Sequence, residues 1–226
     1  MQKIGHRGAK GYTTENTLAS FEKAIALQVD VIELDVHVCK SGELVVFHDF
    51  TLERLTNGIG EIAKHTLEEL KQLHIASAYK IPTLIETLEF INRRCKINIE
   101  LKGRNTAQPV AELIEFFVQN KDWNYNDFIV SSFQYEELAS FSSLSGNTIP
   151  LAILTQASVQ QAIDWALAFN ATHIHPHFSL ITTDNCNFAK EKGLKINTWT
   201  VNEPIDIEHV KRFAIDGIIS DFPDRI

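Results

Sequence analysis

The sequence predicts an α/β fold in which eight parallel strands close into a barrel, and three observations lead to this prediction. Short β-like runs alternate with segments of helical period along the chain, which is typical of repeated βα units. Eight such runs fit the alternation, and the length of 226 residues suits a minimal TIM (β/α)8 barrel. An open doubly wound sheet is the alternative. It is disfavoured because no G-x-G-x-x-G loop follows the first predicted strand.

The predicted strands are apolar runs of four to nine residues, several of them bounded by turn-forming residues. In chain order they cover residues 3–6, 30–38, 96–101, 128–131, 149–154, 173–177, 195–200 and 217–220. Amphipathic spacing predicts helices between them, over residues 16–27, 84–93, 109–120, 159–169, 184–192 and 205–213. Strands and helices therefore follow one another in the order that a parallel barrel requires.

Residues 49–81 depart from this alternation. An apolar run at residues 44–47 follows Ser41-Gly42 and predicts a hairpin partner for the second strand. The chain is then polar and rich in turn residues, with one short helix near 67–73. In a barrel, a loop after a strand lies over the C-terminal face, where active sites are found. We therefore expect one barrel domain over residues 1–226, with 49–81 as an insertion or lid.

Composition excludes several classes of partner. The formal net charge is -8 and no block of Lys and Arg is present, which argues against a nucleic-acid backbone as a partner. The three cysteines are far apart without a C-x-x-C pair, so reduced thiols are expected rather than a zinc ribbon or a disulfide scaffold. No signal-peptide pattern and no membrane-length apolar run occurs. We expect a cytoplasmic protein without stable membrane association; its oligomeric state cannot be predicted.

Glu33, Asp35 and His37 share one face of the second predicted strand, because side chains alternate along a strand. The apolar residues between them share the other face, which would pack against helices. The acidic face would then point into the barrel near its mouth. Two carboxylates there repel each other and lose hydration unless a cation lies between them. The pattern predicts a divalent metal, and a solvated edge strand is the alternative.

The third predicted strand repeats this arrangement, with Asn98, Glu100 and Lys102 on one face. Glu100 could supply a third oxygen to the metal. An all-carboxylate set favours Mg²⁺ or Ca²⁺ over zinc. Lys102, near the end of the strand, suits a phosphate oxygen; a surface ion pair with Glu100 is the alternative.

Two histidines end β runs at the expected rim of the barrel. His6 ends the first strand and is followed by Arg7-Gly8, and His48-Asp49 follows the hairpin run. Histidine acts as an acid or a base near neutral pH, and the arginine fork binds phosphate in a bidentate manner. These residues predict an active site.

Several short motifs follow one another in a fixed order. They are His6-Arg7-Gly8, Glu15-Asn16-Thr17, Glu33-Leu34-Asp35, Phe47-His48-Asp49, Thr51-Leu52-Glu53-Arg54 with Thr56-Asn57-Gly58, Ile81-Pro82-Thr83-Leu84, Glu100-Leu101-Lys102, Thr198-Trp199-Thr200-Val201-Asn202 and Ser220-Asp221. Together they resemble the glycerophosphodiester phosphodiesterase family over the full length. The ordered set is specific, although each tripeptide alone is weak.

That family is a TIM barrel that hydrolyses glycerophosphodiesters to glycerol 3-phosphate and an alcohol, using Ca²⁺ or Mg²⁺. The resemblance implies that Glu33, Asp35 and Glu100 are the metal ligands. It also implies that His6 and His48 form the acid–base pair. Which histidine is the acid, whether water or the glycerol 2-hydroxyl attacks, and which head group is cut all remain open at this stage.

The resemblance further implies that Arg7 and Lys102 hold the phosphate and that Asn16 makes a polar contact at the rim. Members of the family usually have Pro before Glu-Asn-Thr, where this chain has Thr14. We expect the Thr14 hydroxyl to cap the following helix, so the change should not alter function.

Other polar and aromatic residues receive weaker assignments. His173, His175 and His177 share a strand face, but neighbouring side chains at i, i+2 rarely converge on one ion, so no second metal site is predicted. His175 is expected to line the barrel mouth and contact substrate. Trp199 is either core packing or a wall against the glycerol or leaving group. Asp221 is expected to be a turn residue, because three carboxylates are already assigned to the metal.

Two other functions are compatible with parts of the pattern. Carboxylates on successive strands with Lys102 could serve a metal-assisted enolase or an aldolase-type Schiff-base enzyme, which would leave His6-Arg7 and His48-Asp49 unexplained. A barrel that binds a phosphorylated ligand without catalysis is the other alternative, and the presence of every expected acid, base and ligand counts against it.

Overall fold

The computed structural model describes residues 1–226 and contains nine strands and eight α-helices. The strands are β1 (Gln2–Gly5), β2 (Val31–Val38), β3 (Leu44–Val46), β4 (Lys96–Leu101), β5 (Phe128–Ser132), β6 (Leu151–Thr155), β7 (His173–Pro176), β8 (Lys195–Thr198) and β9 (Gly217–Ser220). The helices are α1 (Leu18–Ala26), α2 (Leu67–Gln72), α3 (Leu84–Ile91), α4 (Ala107–Asn120), α5 (Tyr135–Ser145), α6 (Val159–Ala168), α7 (Thr183–Glu191) and α8 (Pro204–Val210). No helix is long and apolar enough to cross a membrane.

Eight of the strands form a closed parallel barrel, which confirms the predicted fold class. Neighbouring strands pair in the order β1-β9-β8-β7-β6-β5-β4-β2. Pairing of β1 with β2, through Ile4 opposite Val31, closes the ring. β3 is the exception: it runs antiparallel to β2, with Val36 opposite Val46. The hairpin that the sequence predicted is therefore present on the outside of the ring.

The alternation of β2 places its apolar and acidic faces as expected. Ile32, Leu34 and Val36 are wholly buried in the main hydrophobic core, which lies between the strands and the surrounding helices. Glu33 and Asp35 point to the opposite side, the barrel interior, and both are buried there. The barrel thus forces two carboxylates into a space with little water, which is a strong constraint on their chemistry.

The segment between β3 and α3 has its own small core. Eight buried residues form it: Cys39, Val45, Phe47, Leu52, Ile62, Leu70, Ile75 and Ile81. The cluster joins the outer side of the β2–β3 hairpin to the short helix α2. Apolar burial in a separate cluster gives this insertion a defined position beside the barrel mouth.

Two local predictions were wrong. The helix α1 begins at Leu18, and its cap is Thr17, whose hydroxyl accepts a hydrogen bond from the Ser20 amide. Thr14 does not cap it: its carbonyl oxygen accepts the hydrogen bond donated by the Thr17 hydroxyl. Asn16 cannot belong to the helix, as predicted, because its φ of 54° is left-handed.

The helix α5 was not among the predicted elements. Its sequence is rich in serine, so it lacks a clear amphipathic pattern. It is nevertheless fixed by Glu137, whose buried carboxylate accepts hydrogen bonds from the backbone amides of Asn105, Thr106 and Ala107. These amides are at the start of α4, where a negative charge is favoured.

Candidate active site

A pocket of about 410 Å³ opens at the carboxyl ends of the barrel strands. It is lined by His6, Arg7, Glu33, His48, Asn98, Glu100, Lys102, Phe133, Leu154, Gln156, Trp199, Thr200 and Ile219. The pocket therefore brings together most of the predicted site residues. They are the two histidines, the two cations predicted to bind phosphate, and two of the three predicted metal-binding carboxylates. Asp35 does not line the pocket, but it is paired with Glu100 across β2 and β4.

The three carboxylates form a tight cluster. Glu33, Asp35 and Glu100 each place one oxygen within 4.8 Å of the others. Parallel pairing of β2 with β4 aligns Asp35 with Glu100, and alternation along β2 brings Glu33 to the same side. All three are buried, and Asp35 has only 1% of its surface exposed.

Burial and mutual repulsion act against ionisation of this cluster. Burial, followed by the charges of Asp35 and Glu100, raises the pKa of Glu33 well above its ordinary value. The same causes, burial and then Asp35, raise the pKa of Glu100 to about 7. Burial would raise the pKa of Asp35 too, but the positive charge of Arg7 and of other neighbours outweighs burial and lowers it. The protein alone does not balance three negative charges here.

The donor set fits a hard divalent cation. The Oδ1 atom of Asp35 is buried and has no hydrogen-bond partner in the protein. A buried carboxylate oxygen without a partner is costly, and a cation bound by the three carboxylates would remove that cost and the repulsion. Carboxylate-only ligation suits Mg²⁺ or Ca²⁺.

Arg7 occupies a strained turn between β1 and the pocket. Its φ of 50° is left-handed, and Gly8 follows with a φ of 85°. A β-carbon at Gly8 would lie 2.4 Å from the Ser20 hydroxyl oxygen, so only glycine fits this close approach. The turn directs the Arg7 amide to the Glu33 carboxylate, to which it donates a 2.8 Å hydrogen bond. Strain of this kind is found where a side chain must be held in one position.

His6 is held by a residue at the far end of the chain. Its Nδ1 atom lies 2.5 Å from the Asp221 Oδ1 atom, and the Asn202 amide donates to the other carboxylate oxygen of Asp221 at 2.9 Å. A carboxylate only accepts hydrogen bonds, so the proton is on Nδ1 and the Nε2 atom is the free acceptor of the neutral ring. Burial lowers the pKa of His6 and outweighs the hydrogen bond that His6 donates to Asp221, which acts to raise it.

His48 has an equivalent partner on the insertion side. Its Nδ1 atom lies 2.7 Å from the Asp49 Oδ1 atom. The Arg54 guanidinium donates hydrogen bonds from two of its nitrogens to the same Asp49 carboxylate. Burial lowers the pKa of His48, with Asp35 acting in the opposite direction. The lowered pKa values favour the neutral form of both histidines. In each ring Nδ1 contacts a carboxylate, and Nε2 is available to exchange a proton.

Arg54 connects the two halves of the site. Its Nη2 atom donates to Glu15 Oε1 at 2.7 Å, and the same oxygen accepts from Arg7 Nη1 at 2.6 Å. One guanidinium on the insertion therefore binds Asp49, which holds His48, and Glu15, which holds Arg7. Glu15 is 5% exposed as a side chain.

Lys102 extends from the end of β4 into the pocket. Its Nζ atom is 2.9 Å from Glu100 Oε1 and 3.9 Å from Asp35 Oδ1. Burial would lower the pKa of Lys102, but Glu100 and Asp35 outweigh it and raise the pKa. A protonated ammonium suits phosphate. The aldolase-type alternative gives no role to His6, Arg7 and His48, which line the same pocket.

The remaining predicted residues lie in different places. Trp199 lines the pocket and meets Phe133 edge to face at 5.4 Å between ring centres. Asn16 is buried and donates a 2.9 Å hydrogen bond to Asp35 Oδ2, so it supports a carboxylate instead of standing at the rim. His175 is 0% exposed and does not line the pocket. Its Nε2 atom is 3.1 Å from the Asn197 amide inside the barrel, which leaves it out of reach of a substrate in the pocket.

Asp221 lies in the bend directly after β9 and is not part of the carboxylate cluster, as expected. Its carboxylate also binds His6, a contact that the sequence did not predict. The signal that could have identified it is its position: it directly follows β9, the last barrel strand, and barrel strands end at the catalytic face. Asp49, Glu15 and Arg54 stood within quoted motifs but had received no role.

The chain matches known proteins over almost its whole length. Residues 6–225 match the Glycerophosphoryl diester phosphodiesterase family. The chain is 37% identical over 242 residues to a glycerophosphodiester phosphodiesterase of Bacillus altitudinis. This match covers 100% of this chain and 96% of that protein. It is 34% identical over 234 residues to a glycerophosphodiester phosphodiesterase of Caldanaerobacter subterraneus, covering 99% and 95% respectively.

A solved structure resembles the whole chain equally well. A phosphodiesterase of Oleispira antarctica, in complex with the product sn-glycerol-3-phosphate, matches with a TM-score of 0.90 and 30% identity. The match covers 100% of this chain and 95% of that chain. A glycerophosphodiester phosphodiesterase of Thermotoga maritima matches with a TM-score of 0.81 and 27% identity, covering 99% and 96%.

Proposed function

The chain belongs to the glycerophosphoryl diester phosphodiesterase family and is an enzyme of that class, and from this premise we propose how its own residues carry out the reaction. The substrate is a glycerophosphodiester, and the products are sn-glycerol 3-phosphate and an alcohol. The observation that carries the proposal is the convergence of two histidines, two cations and a carboxylate cluster on one pocket of about 410 Å³.

Glu33, Asp35 and Glu100 hold one divalent cation, Mg²⁺ or Ca²⁺. The partnerless Asp35 oxygen and the repulsion among the three carboxylates support this assignment. When bound, such a cation supplies positive charge that neutralises phosphate oxygens and stabilises the transition state.

Arg7 and Lys102 bind the phosphate oxygens of the diester. Both line the pocket, and both are engaged with carboxylates, so each is held in place before the substrate arrives. Their charges act in a space partly closed to water, where electrostatic stabilisation of a dianionic transition state is strongest. Phe133 and Trp199 form an apolar part of the same pocket lining, suited to the carbon atoms of the glycerol.

His6 and His48 transfer the protons. An oxygen nucleophile forms a bond to phosphorus while the bond from phosphorus to the alcohol oxygen breaks. One Nε2 atom accepts the proton that the nucleophile loses, and the other, in its protonated form, gives a proton to the departing alcohol oxygen. Asp221 and Asp49 keep both Nδ1 atoms protonated, so that in each ring only Nε2 exchanges protons.

The test is release of sn-glycerol 3-phosphate from glycerophosphocholine and glycerophosphoglycerol by metal-reconstituted protein. Turnover should stop with EDTA and return with Mg²⁺ or Ca²⁺. A His6→Ala protein should lose about 10²–10⁴-fold in kcat. A His209→Ala protein is the matched control, because His209 is an exposed histidine on α8. Wild-type turnover by the His6→Ala protein would refute the proposal, and so would tight binding of the diester without hydrolysis.

A further inference from the structure

We propose that a second, basic groove beside the active site binds a phosphate group carried by the leaving alcohol. The groove has a volume of about 1080 Å³ and runs between the insertion and the loop after β4. It is lined among others by His37, Lys40, Phe50, Lys64, Gly103 and Arg104. The inference rests on the proposed function and names a substrate class for it: glycerophosphodiesters with a second phosphate on the alcohol side.

The residues that line the groove are neighbours of residues that line the catalytic pocket. His37 follows Asp35 by two residues along β2, and Gly103 directly follows Lys102. A strand rises about 3.3 Å per residue, so His37 stands roughly 7 Å beyond Asp35. His37 also contacts His48, which lines the catalytic pocket: the His37 Nε2 atom is 3.3 Å from the His48 carbonyl oxygen. We infer that an alcohol leaving phosphorus on this side of the rim extends towards the groove.

Three cations in the groove have no partner in the protein. Lys40, Lys64 and Arg104 are exposed. None of them is within ion-pair distance of a carboxylate, in contrast to Arg7 and Lys102 in the catalytic pocket. The chain as a whole carries a net charge of -8, so three unpaired cations in one groove differ from the rest of the protein. Such a cluster attracts and holds an anion.

The floor of the groove suits the carbon chain between two phosphates. Phe50 is 53% exposed, which is unusual for a phenylalanine. Its ring meets the His37 ring edge to face at 5.1 Å, which fixes its orientation. Gly103 packs closely against His37: a β-carbon there would lie 2.9 Å from His37 Nδ1. Glu61 is the one acidic residue of the lining, against Lys40, Lys64 and Arg104.

The experiment compares two substrates that differ only at the far end of the leaving alcohol. One is glycerophosphoglycerol, and the other is the same diester with a phosphate monoester on the leaving glycerol. We expect kcat/KM to be about tenfold higher for the phosphorylated substrate, mainly through a lower KM. Lys64→Gln and Arg104→Gln should each reduce this preference about threefold to tenfold. Neither should change turnover of glycerophosphoglycerol.

Lys192→Gln provides the matched control. Lys192 is an exposed lysine after α7, at the opposite end of the barrel, and its variant should keep the wild-type preference. Equal kcat/KM for the two substrates, or an equal loss on both substrates in the groove variants, would overturn the inference and leave the proposed function intact. Failure of the wild-type protein to hydrolyse either diester would instead overturn the proposed function.

Discussion

The Nδ1 atom of His6 lies 2.5 Å from the Oδ1 atom of Asp221, although 215 positions separate the two residues in the sequence. The first and last barrel strands are neighbours, with Gly5 opposite Ser220, so closure of the barrel creates this contact. The histidine that we propose to be catalytic thus contacts a carboxylate that directly follows the last barrel strand. The contact between His6 and Asp221 therefore requires a closed barrel.

Replacement of Asp221 by Asn should lower kcat far more than it changes KM. The Asn amide can donate a hydrogen bond to Nδ1, which would place the histidine proton on Nε2 and remove the acceptor from the pocket. We expect a loss of about 10²–10⁴-fold in kcat, measured by release of glycerol 3-phosphate at several pH values. Asp224→Asn is the control, because Asp224 bonds the exposed Tyr12 hydroxyl instead of a histidine. Retention of wild-type kcat by Asp221→Asn would show that the contact does not fix the ring.

Replacement of Arg54 by Gln should lower kcat about 10- to 100-fold. Arg54 holds both Asp49 and Glu15, so its loss frees the partners of His48 and Arg7 together. Arg54→Lys should not rescue the rate, because an ammonium lacks the fork that reaches two carboxylates. Arg94→Gln tests the specificity of this effect, since Arg94 forms an exposed pair with Glu22. Full activity in Arg54→Gln would mean that the insertion does not position catalytic groups.

Stability should fall in acid partly through Glu15. Burial alone would raise the pKa of Glu15, but hydrogen bonds and charges from Arg54 and Arg7 lower it to about 2, from an ordinary value of 4.5. A carboxylate with a depressed pKa in the folded state stabilises the protein above its unfolded pKa and loses this contribution as pH falls. The relevant window is therefore from about 4.5 down to 2.

Denaturant unfolding across that window measures the effect. The free energy of unfolding of Glu15→Gln should depend less steeply on pH than that of the wild type. Glu112→Gln should keep the wild-type slope, because Glu112 is exposed on α4 and bonds only Gln108. An unchanged slope in Glu15→Gln would contradict the assignment.

Substitutions at Gly8 and Gly42 distinguish the cost of close packing from the cost of a left-handed backbone. Gly8 and Gly42 both have left-handed φ values. A β-carbon at Gly8 would meet Ser20 closely, whereas nothing lies within 4 Å of one at Gly42. Gly8→Ala should therefore cost about 2 kcal/mol or more, and Gly42→Ala only about 1 kcal/mol. Equal losses in the free energy of unfolding would show that the close approach at Gly8 contributes nothing.

Much of the fold could be predicted because its signals are local. Alternating apolar and acidic residues on β2 indicated which face meets the helices, and regular βα spacing indicated the barrel. The helix α5 escaped prediction because its register depends on Glu137 bonding amides about 30 positions earlier. A tertiary contact of that kind leaves no periodic pattern in the sequence.

The candidate site divides in the same way. Glu33, Asp35 and Glu100 could be predicted because they alternate with apolar residues inside strands, and the two histidines because each follows a strand that carries its own signal. The residues that orient them could not, because a contact such as Glu15 with Arg54 spans 39 positions and exists only once the insertion has packed beside the barrel. His175 shows the opposite error: its strand position was correct, but only the structure reveals its depth in the barrel.

The central claim is that catalysis depends on a divalent cation held by Glu33, Asp35 and Glu100. The most direct test titrates Mg²⁺ or Ca²⁺ into metal-free protein and follows metal binding by calorimetry and glycerol 3-phosphate release in parallel. We predict that binding and activity rise together at one site per chain and that Asp35→Asn loses both while remaining folded by circular dichroism. Full turnover after exhaustive chelation, or wild-type activity in Asp35→Asn, would contradict the account.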